Sequence, residues 1–301
     1  SGATSPLTGS TVTVKGVVTG DFQSISGGFY LQSLPAEVDA NPLTSEGLYI
    51  YNNTISASVG DVLYLQGTVT EYNGLTELGS VSLLNTCATG QSLPAAAVLD
   101  LPDTANPTYS LEPYEGMLVT IPETLTVQQN YFQGRYGQVT LGAGGRIPQM
   151  NNFSLGGGSL YDYTRMIVLD DGSSLQNRNP IPYYAADGAL RAGDTVTGLT
   201  GVLDQGLINS TSGTVFPYNY YRLNPTAAPV FSQANPRPAT APSVGGRLLI
   251  SGANVENYFT TLDMAPYRST PPYDGSSNTP RGADSEVEFT RQQAKIVATL
   301  A

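Results

Sequence analysis

Asp170-Asp171-Gly172 sets two carboxylates side by side before a glycine. Hard cations take oxygen ligands from loops of this kind, so Asp170 and Asp171 are candidate calcium ligands. A plain strand-ending turn is the competing reading. Tyr218, Tyr220 and Tyr221 fall within four residues of one another. Their rings could stack sugars or bases, although tyrosines at strand edges also serve packing alone. Glu115 and Asp194 fall into no general acid/base spacing, so no glycosidase pair is assigned. Cys87 is the one cysteine, which excludes an intrachain disulfide; it is expected as a small buried thiol. The chain contains no histidine.

Charge narrows what these groups can meet. Residues 1–134 carry one cation, Lys15, against twelve Asp and Glu, whereas residues 135–301 carry twelve of each sign. Non-specific nucleic-acid binding depends on Lys and Arg displacing counterions from phosphates. Residues 1–134 are therefore a poor grip for DNA or RNA, and their field repels a polyanion. No run of about 18 apolar residues exists, so no membrane span is expected. The chain has neither an initiator Met nor a basic-then-apolar start; a secretion signal is expected to have been removed or to lie upstream. Few lysines and a net charge of −11 suit an extracellular protein.

The elements that must position these residues read as short strands. With 33 Gly and 21 Pro against 12% charged residues, the composition favours turns and strands over long surface helices. Thr11–Val18 alternates, with Gly16 marking a bulge or bend, and Gly28–Gln32 and Gly47–Tyr51 follow. Gly60-Asp61 turns into a strand that Gly67 lets bend, and Asn73-Gly74 signals a hairpin before Leu75–Leu78. Five short strands with a glycine-bent member fit a small Greek-key barrel of the OB type over residues 1–104. A second such barrel is expected over 105–232, from Tyr114–Thr120, Tyr136–Leu141, Arg165–Asp170 and a repeat of the Gly-Asp-strand order at Gly193-Asp194, with an insertion at 148–164. The fold class is thus mainly β.

Residues 233–246 are proline-rich and aperiodic, a domain linker. After it, Arg247–Ser251 reads as a buried strand, and Ser285 or Asp284 can cap a helix with Phe289, Ile296, Val297 and Leu300 on an apolar face. One strand and one helix over 247–301 make an incomplete α/β segment.

Leu249–Asp263 resembles the opening strand of the nuclease domain in ExeM-type extracellular endonucleases, and Arg281–Ser285 with Glu288–Val297 resembles its first helix. Val69–Leu78, Leu93–Ala95, Tyr114–Met117 and Tyr221–Leu223 resemble upstream blocks of the same family. The resemblance implies a secreted nuclease in which barrels precede an endonuclease/exonuclease/phosphatase domain. There, an Asn on the first strand and a Glu on the next help hold a divalent cation that supports attack by water. Asn254 matches that Asn, so it is the candidate metal ligand, with Mg or Ca expected for a full-length parent. Where the family pattern has an aromatic before the Asn and an apolar residue two places after it, this chain has Ala253 and Glu256. The partner Glu would follow the helix and further ligands include histidine, so these 301 residues are expected to be inactive and to need no cofactor.

Two other classes compete with a non-catalytic nuclease region. A structural fibre or matrix subunit could assemble as a homo-oligomer through the C-terminal segment, using Leu248, Leu249, Ile250, Phe289, Ile296 and Leu300 as the apolar contact. A pair of carbohydrate-binding modules is the third.

Overall fold

The computed structural model describes residues 4–102, 110–147, 164–184, 188–208, 219–236, 238–240, 252–255 and 285–300, with 243, 245, 258 and 283. The chain divides into two units, Ser1–Arg237 and Pro238–Ala301, and the division falls inside the expected linker.

Unit 1 holds two closed five-stranded barrels. The first contains β1 (Thr11–Asp21), β2 (Phe29–Gln32), β3 (Gly47–Ile50), β4 (Val62–Tyr72) and β5 (Leu75–Ala88) in the order β1-β2-β3-β5-β4. Its one parallel pairing joins β3 to β5. Alternation drives the closure: Leu63, Leu65 and Val69 of β4 point inward with Val18, Phe29, Leu31, Ile50 and Leu78. Gly67 bends β4 as expected. The register shifts between Gln66 and Thr68, and a Cβ on Gly67 would meet Leu78 Cγ at 2.6 Å. Gly16 is not the bulge. It pairs regularly with Leu63, the irregularity of β1 lies between Val18 and Gly20, and Gly16 instead lets the Gln32 carbonyl approach. Asn73 and Gly74, with φ of 53° and 90°, make the tight β4–β5 hairpin.

The second barrel contains β7 (Leu118–Gln129), β8 (Val139–Ala143), β9 (Met166–Leu169), β10 (Thr195–Leu207) and β11 (Asn219–Pro225). They close in the order β7-β8-β9-β11-β10, again with the third and fifth strands parallel. The Gly-Asp repeat is a structural repeat. Gly60 and Gly193 have φ of 92° and 100°, and their amides donate to the carbonyls of Val18 and Val127. Asp61 and Asp194 each accept the N–H three residues earlier, at 3.0 and 2.8 Å. The same carboxylate-closed turn thus launches the fourth strand of each barrel. Two short strands flank this barrel, β6 (Ala97–Val98) beside β7 and β12 (Phe231–Ser232) beside β10. A boundary at 104 therefore puts β6 on the wrong side, since it pairs with the second sheet. Residues 148–163 of the expected insertion lie outside the described residues.

Cys87 corrects an expectation: it is exposed. The outer half of β5 runs past the barrel, so residues 82–87 have little to pack against on either face. Along Gly79–Ala88 the strand has only β4 beside it among the described residues, because β3 reaches β5 only at Glu77 and Leu78.

Short helices α1 (Gln23–Ser26) and α2 (Gln133–Tyr136) lie in unit 1; in unit 2 the helix α3 (Glu286–Leu300) begins where the capping signal put it. Ser285 Oγ accepts the Glu288 N–H at 3.3 Å, and Phe289 stacks on Tyr258 with centroids 5.5 Å apart. No helix among the described residues is long and apolar enough to cross a membrane.

Candidate functional site: a cleft between the barrels

The barrels of unit 1 are joined by a sealed contact. Phe22, Tyr30, Tyr49 and Leu75 from the first pack with Leu118 and Val202 from the second. Gly47 and Gly116 meet backbone to backbone, so close that a side chain on either would collide. Around this apolar centre run crossing hydrogen bonds. Leu118 N–H donates to Gln32 Oε1 at 2.9 Å, Thr76 N–H to Glu115 Oε1 at 2.9 Å, and Ser174 N–H to the Ile25 carbonyl at 2.9 Å. Ser45 Oγ donates to the Glu115 carbonyl.

At one edge of the contact lies a polar network. Asp204 on β10 sits opposite Arg222 on β11. The guanidinium grips both carboxylate oxygens, with Nε to Oδ1 at 2.9 Å and Nη2 to Oδ2 at 2.6 Å. Its remaining arm reaches Asp170 Oδ2 at 3.3 Å, which also accepts Gln138 Nε2 at 2.8 Å. Tyr30 of the first barrel donates to Asp204 Oδ2 at 3.0 Å and accepts Asn224 Nδ2 at 3.2 Å. Burial pushes the Asp170 carboxyl up to about 6, against the pull of Arg222. Burial, then Asp204, lifts the Tyr30 phenol well above its usual range. Burial works against the Arg222 charge, but two flanking carboxylates outweigh it and hold the guanidinium firmly protonated.

Above this network the barrels part into a cleft of about 530 Å³. In OB barrels the second and third strands and the loops after strands one and four form the usual ligand face. Here Tyr30 of β2, Tyr49 of β3, Ser26 after β1 and Asn73 after β4 all line the cleft, so the second barrel forms its opposite wall. Burial raises the half-buried Glu77 carboxyl on that face.

Glu115 lies apart from the cleft in the same inter-barrel contact. Only 5% of it is exposed, and its carboxyl is pushed up to about 8 by burial, against the Thr76 N–H, with Glu112, Asp204 and Glu71 adding repulsion.

The residues singled out in the sequence fare unequally. Asp170 lies in the network, and its Oδ1 accepts the Gly172 N–H. Asp171 accepts the Ser173 N–H and pairs with Arg178 at 2.6 Å. The Asp170–Gly172 segment is thus a turn whose carboxylates face protein donors and cations. No group of three or more His, Cys, Asp and Glu is placed to hold a metal among the described residues. Tyr220 and Tyr221 do not stand out as a platform: their hydroxyls bond the Met166 carbonyl and Glu112, and Tyr221 packs on the second core. Tyr218 lies outside the described residues, as do Leu248, Leu249 and Ile250. Asn254 is exposed in an irregular Gly252–Val255 segment, not on a strand. Phe289 and Ile296 are half-buried, while Val297 is exposed; for Leu300 only its place in α3 is described.

Sequence reasoning missed Tyr30, Asp204, Arg222 and Asn224. One signal was present: Asp204 and Arg222 are the sole charges within their strands, in a chain with few charges. No protein-family model, curated protein or solved structure matches the chain.

Proposed function

We propose that this chain is a non-catalytic region of a secreted protein of the extracellular-nuclease type, in which twin OB-like barrels form a rigid recognition and positioning unit ahead of the nuclease segment. The observation that carries the reading is α3. It is capped by Ser285 and covers the block Glu288–Val297, where the resemblance calls for the first helix of the nuclease domain. The twin barrels upstream, fused by the Tyr30–Asp204–Arg222 network, suit a recognition role because the two present one continuous surface.

Incubating the purified chain with supercoiled plasmid and Mg or Ca tests this. No nicking is expected, and clear cutting would overturn the non-catalytic role. Intact mass of the native secreted protein tests the parent: a longer chain with a histidine-containing domain supports it, and a chain ending near Ala301 counts against it.

A structural subunit is the second reading, favoured by a specific feature. Gly79–Ala88 offers an uncharged strand edge with Leu83 and Leu84 exposed, the kind of edge that pairs with another chain. Light scattering after size exclusion separates the two. A monomer across a hundredfold dilution series removes the assembly reading.

A further inference from the structure

We propose that the inter-barrel cleft is a binding site for an uncharged, hydroxyl-rich ligand, a short oligosaccharide, held between exposed tyrosine rings and buried hydrogen-bond acceptors. The inference goes beyond the nuclease reading and does not rest on it.

Unused acceptors supply the first argument. Asn224 is 3% exposed and lines the cleft; its Nδ2 is spent on Tyr30, and its Oδ1 has no hydrogen-bond partner among the described residues. Gln205 Oε1, also in the lining, is likewise buried without a partner. A buried carbonyl oxygen left unsatisfied is costly, so two such atoms on residues of one cleft lining favour a donor that arrives with a ligand. Hydroxyl groups are such donors. The serine and tyrosine hydroxyls of the lining, including Ser26, Ser173 and Tyr51, can both give and accept, which matches a polyol on its other edges.

Charge supplies the second. The one cation of the lining is Arg222, and all three of its arms are committed to Asp204 and Asp170. Glu77 adds an acid without a cation beside it in the lining. Phosphate groups would find no free positive charge here, and nucleic acid would be repelled. A cation would meet three acids and one base, but the oxygens of Asp170 and Asp204 are already taken up by Arg222, Tyr30, Gln138 and the Gly172 N–H, so it could not ligate them without breaking the network.

Shape supplies the third. Tyr51 and Tyr72 line the cleft and remain 58% and 64% exposed, so their ring faces are open to an apolar face of a ligand. The C–H face of a pyranose ring is such a cover, and its hydroxyls can turn inward to the acceptors. The cleft lies within the size range of small-molecule sites.

Calorimetric titration of the whole chain with cellohexaose, xylohexaose, laminarihexaose, mannohexaose and chitohexaose tests the assignment, with spermidine and a ten-residue thymidine oligonucleotide as contrasts. At least one oligosaccharide should bind saturably. Its affinity should fall about tenfold or more in Tyr51→Ala and in Tyr72→Ala, whose side chains are exposed enough to leave the fold intact. Asn224→Ala should weaken binding further, with an unchanged near-ultraviolet spectrum certifying its fold. No binding by any of the five sugars, binding that the tyrosine variants do not change, or preference for spermidine or the oligonucleotide would each overturn the proposal. Plasmid cleavage by the chain would overturn the non-catalytic role proposed above and leave this result untouched.

Discussion

Replacing Glu115 with glutamine should remove much of the acid preference of the twin-barrel fold. Glu115 sits at 5% exposure between the barrels, with one oxygen accepting the Thr76 N–H and the other without a partner among the described residues. Its carboxyl holds its proton up to about 8, compared with an ordinary value of 4.5. Between these two values the folded state keeps a proton that the unfolded chain releases. Stability from this group is therefore fully present below pH 4.5 and declines as pH rises to about 8. At about 1.36 kcal/mol for each pH unit, the loss across that window is at most ~5 kcal/mol. A glutamine side chain at this position would mimic the neutral acid: its amide oxygen still accepts the Thr76 N–H, and nothing remains to ionise among Glu71, Glu112 and Asp204. Urea unfolding of wild type and E115Q, followed by tyrosine near-ultraviolet dichroism from pH 4 to pH 9, measures the difference. The variant should gain on wild type by several kcal/mol between pH 5 and pH 9, and the gain should flatten above pH 8. A stability difference that stays constant across that range would refute the reasoning, because it would mean that Glu115 ionises alike in both states.

Three further outcomes are expected. Asp204→Asn leaves Arg222 half-paired beneath the cleft and should cost about 3 kcal/mol in the same unfolding assay; the low end of the range for a broken buried pair applies because 22% of the Arg222 side chain is exposed. Gly47→Ala forces a methyl group into the Gly116 backbone and should cost about 1–3 kcal/mol, whereas Gly79→Ala, whose nearest atom would be Thr70 Oγ1 at 3.7 Å, should cost less than about 1 kcal/mol; equal costs would argue against the tight contact between barrels. Cys87 should react stoichiometrically with a disulfide reagent in native buffer, and a thiol that titrates only in denaturant would contradict its exposure.

The barrels were legible because their instructions are local. Asn73-Gly74, Gly67 and the two Gly-Asp turns each fix a bend within a few residues, and the alternation of β4 settles which face is core. Cys87 shows where local inference fails. A thiol on an apolar strand is ordinarily buried, but burial depends on whether the partner sheet extends that far, and β5 outruns its barrel. The cleft was hidden for a related reason. Tyr30 meets Asp204 across 174 residues of sequence, and nothing in the local pattern of either strand records that two barrels will dock on these faces. What the sequence did carry was an anomaly: Asp204 and Arg222 are the sole charges of their strands, and the fold sets them at paired positions where an unpaired buried charge would be prohibitive. In a chain this poor in charge, an acid and a base placed within strands imply each other, and the surface they stabilise is where a second element must pack. The same logic extends to Asn224 and Gln205. Polar atoms kept buried without a partner at that junction are a standing cost that packing alone does not explain, which is why the cleft is where recognition by unit 1 should first be sought.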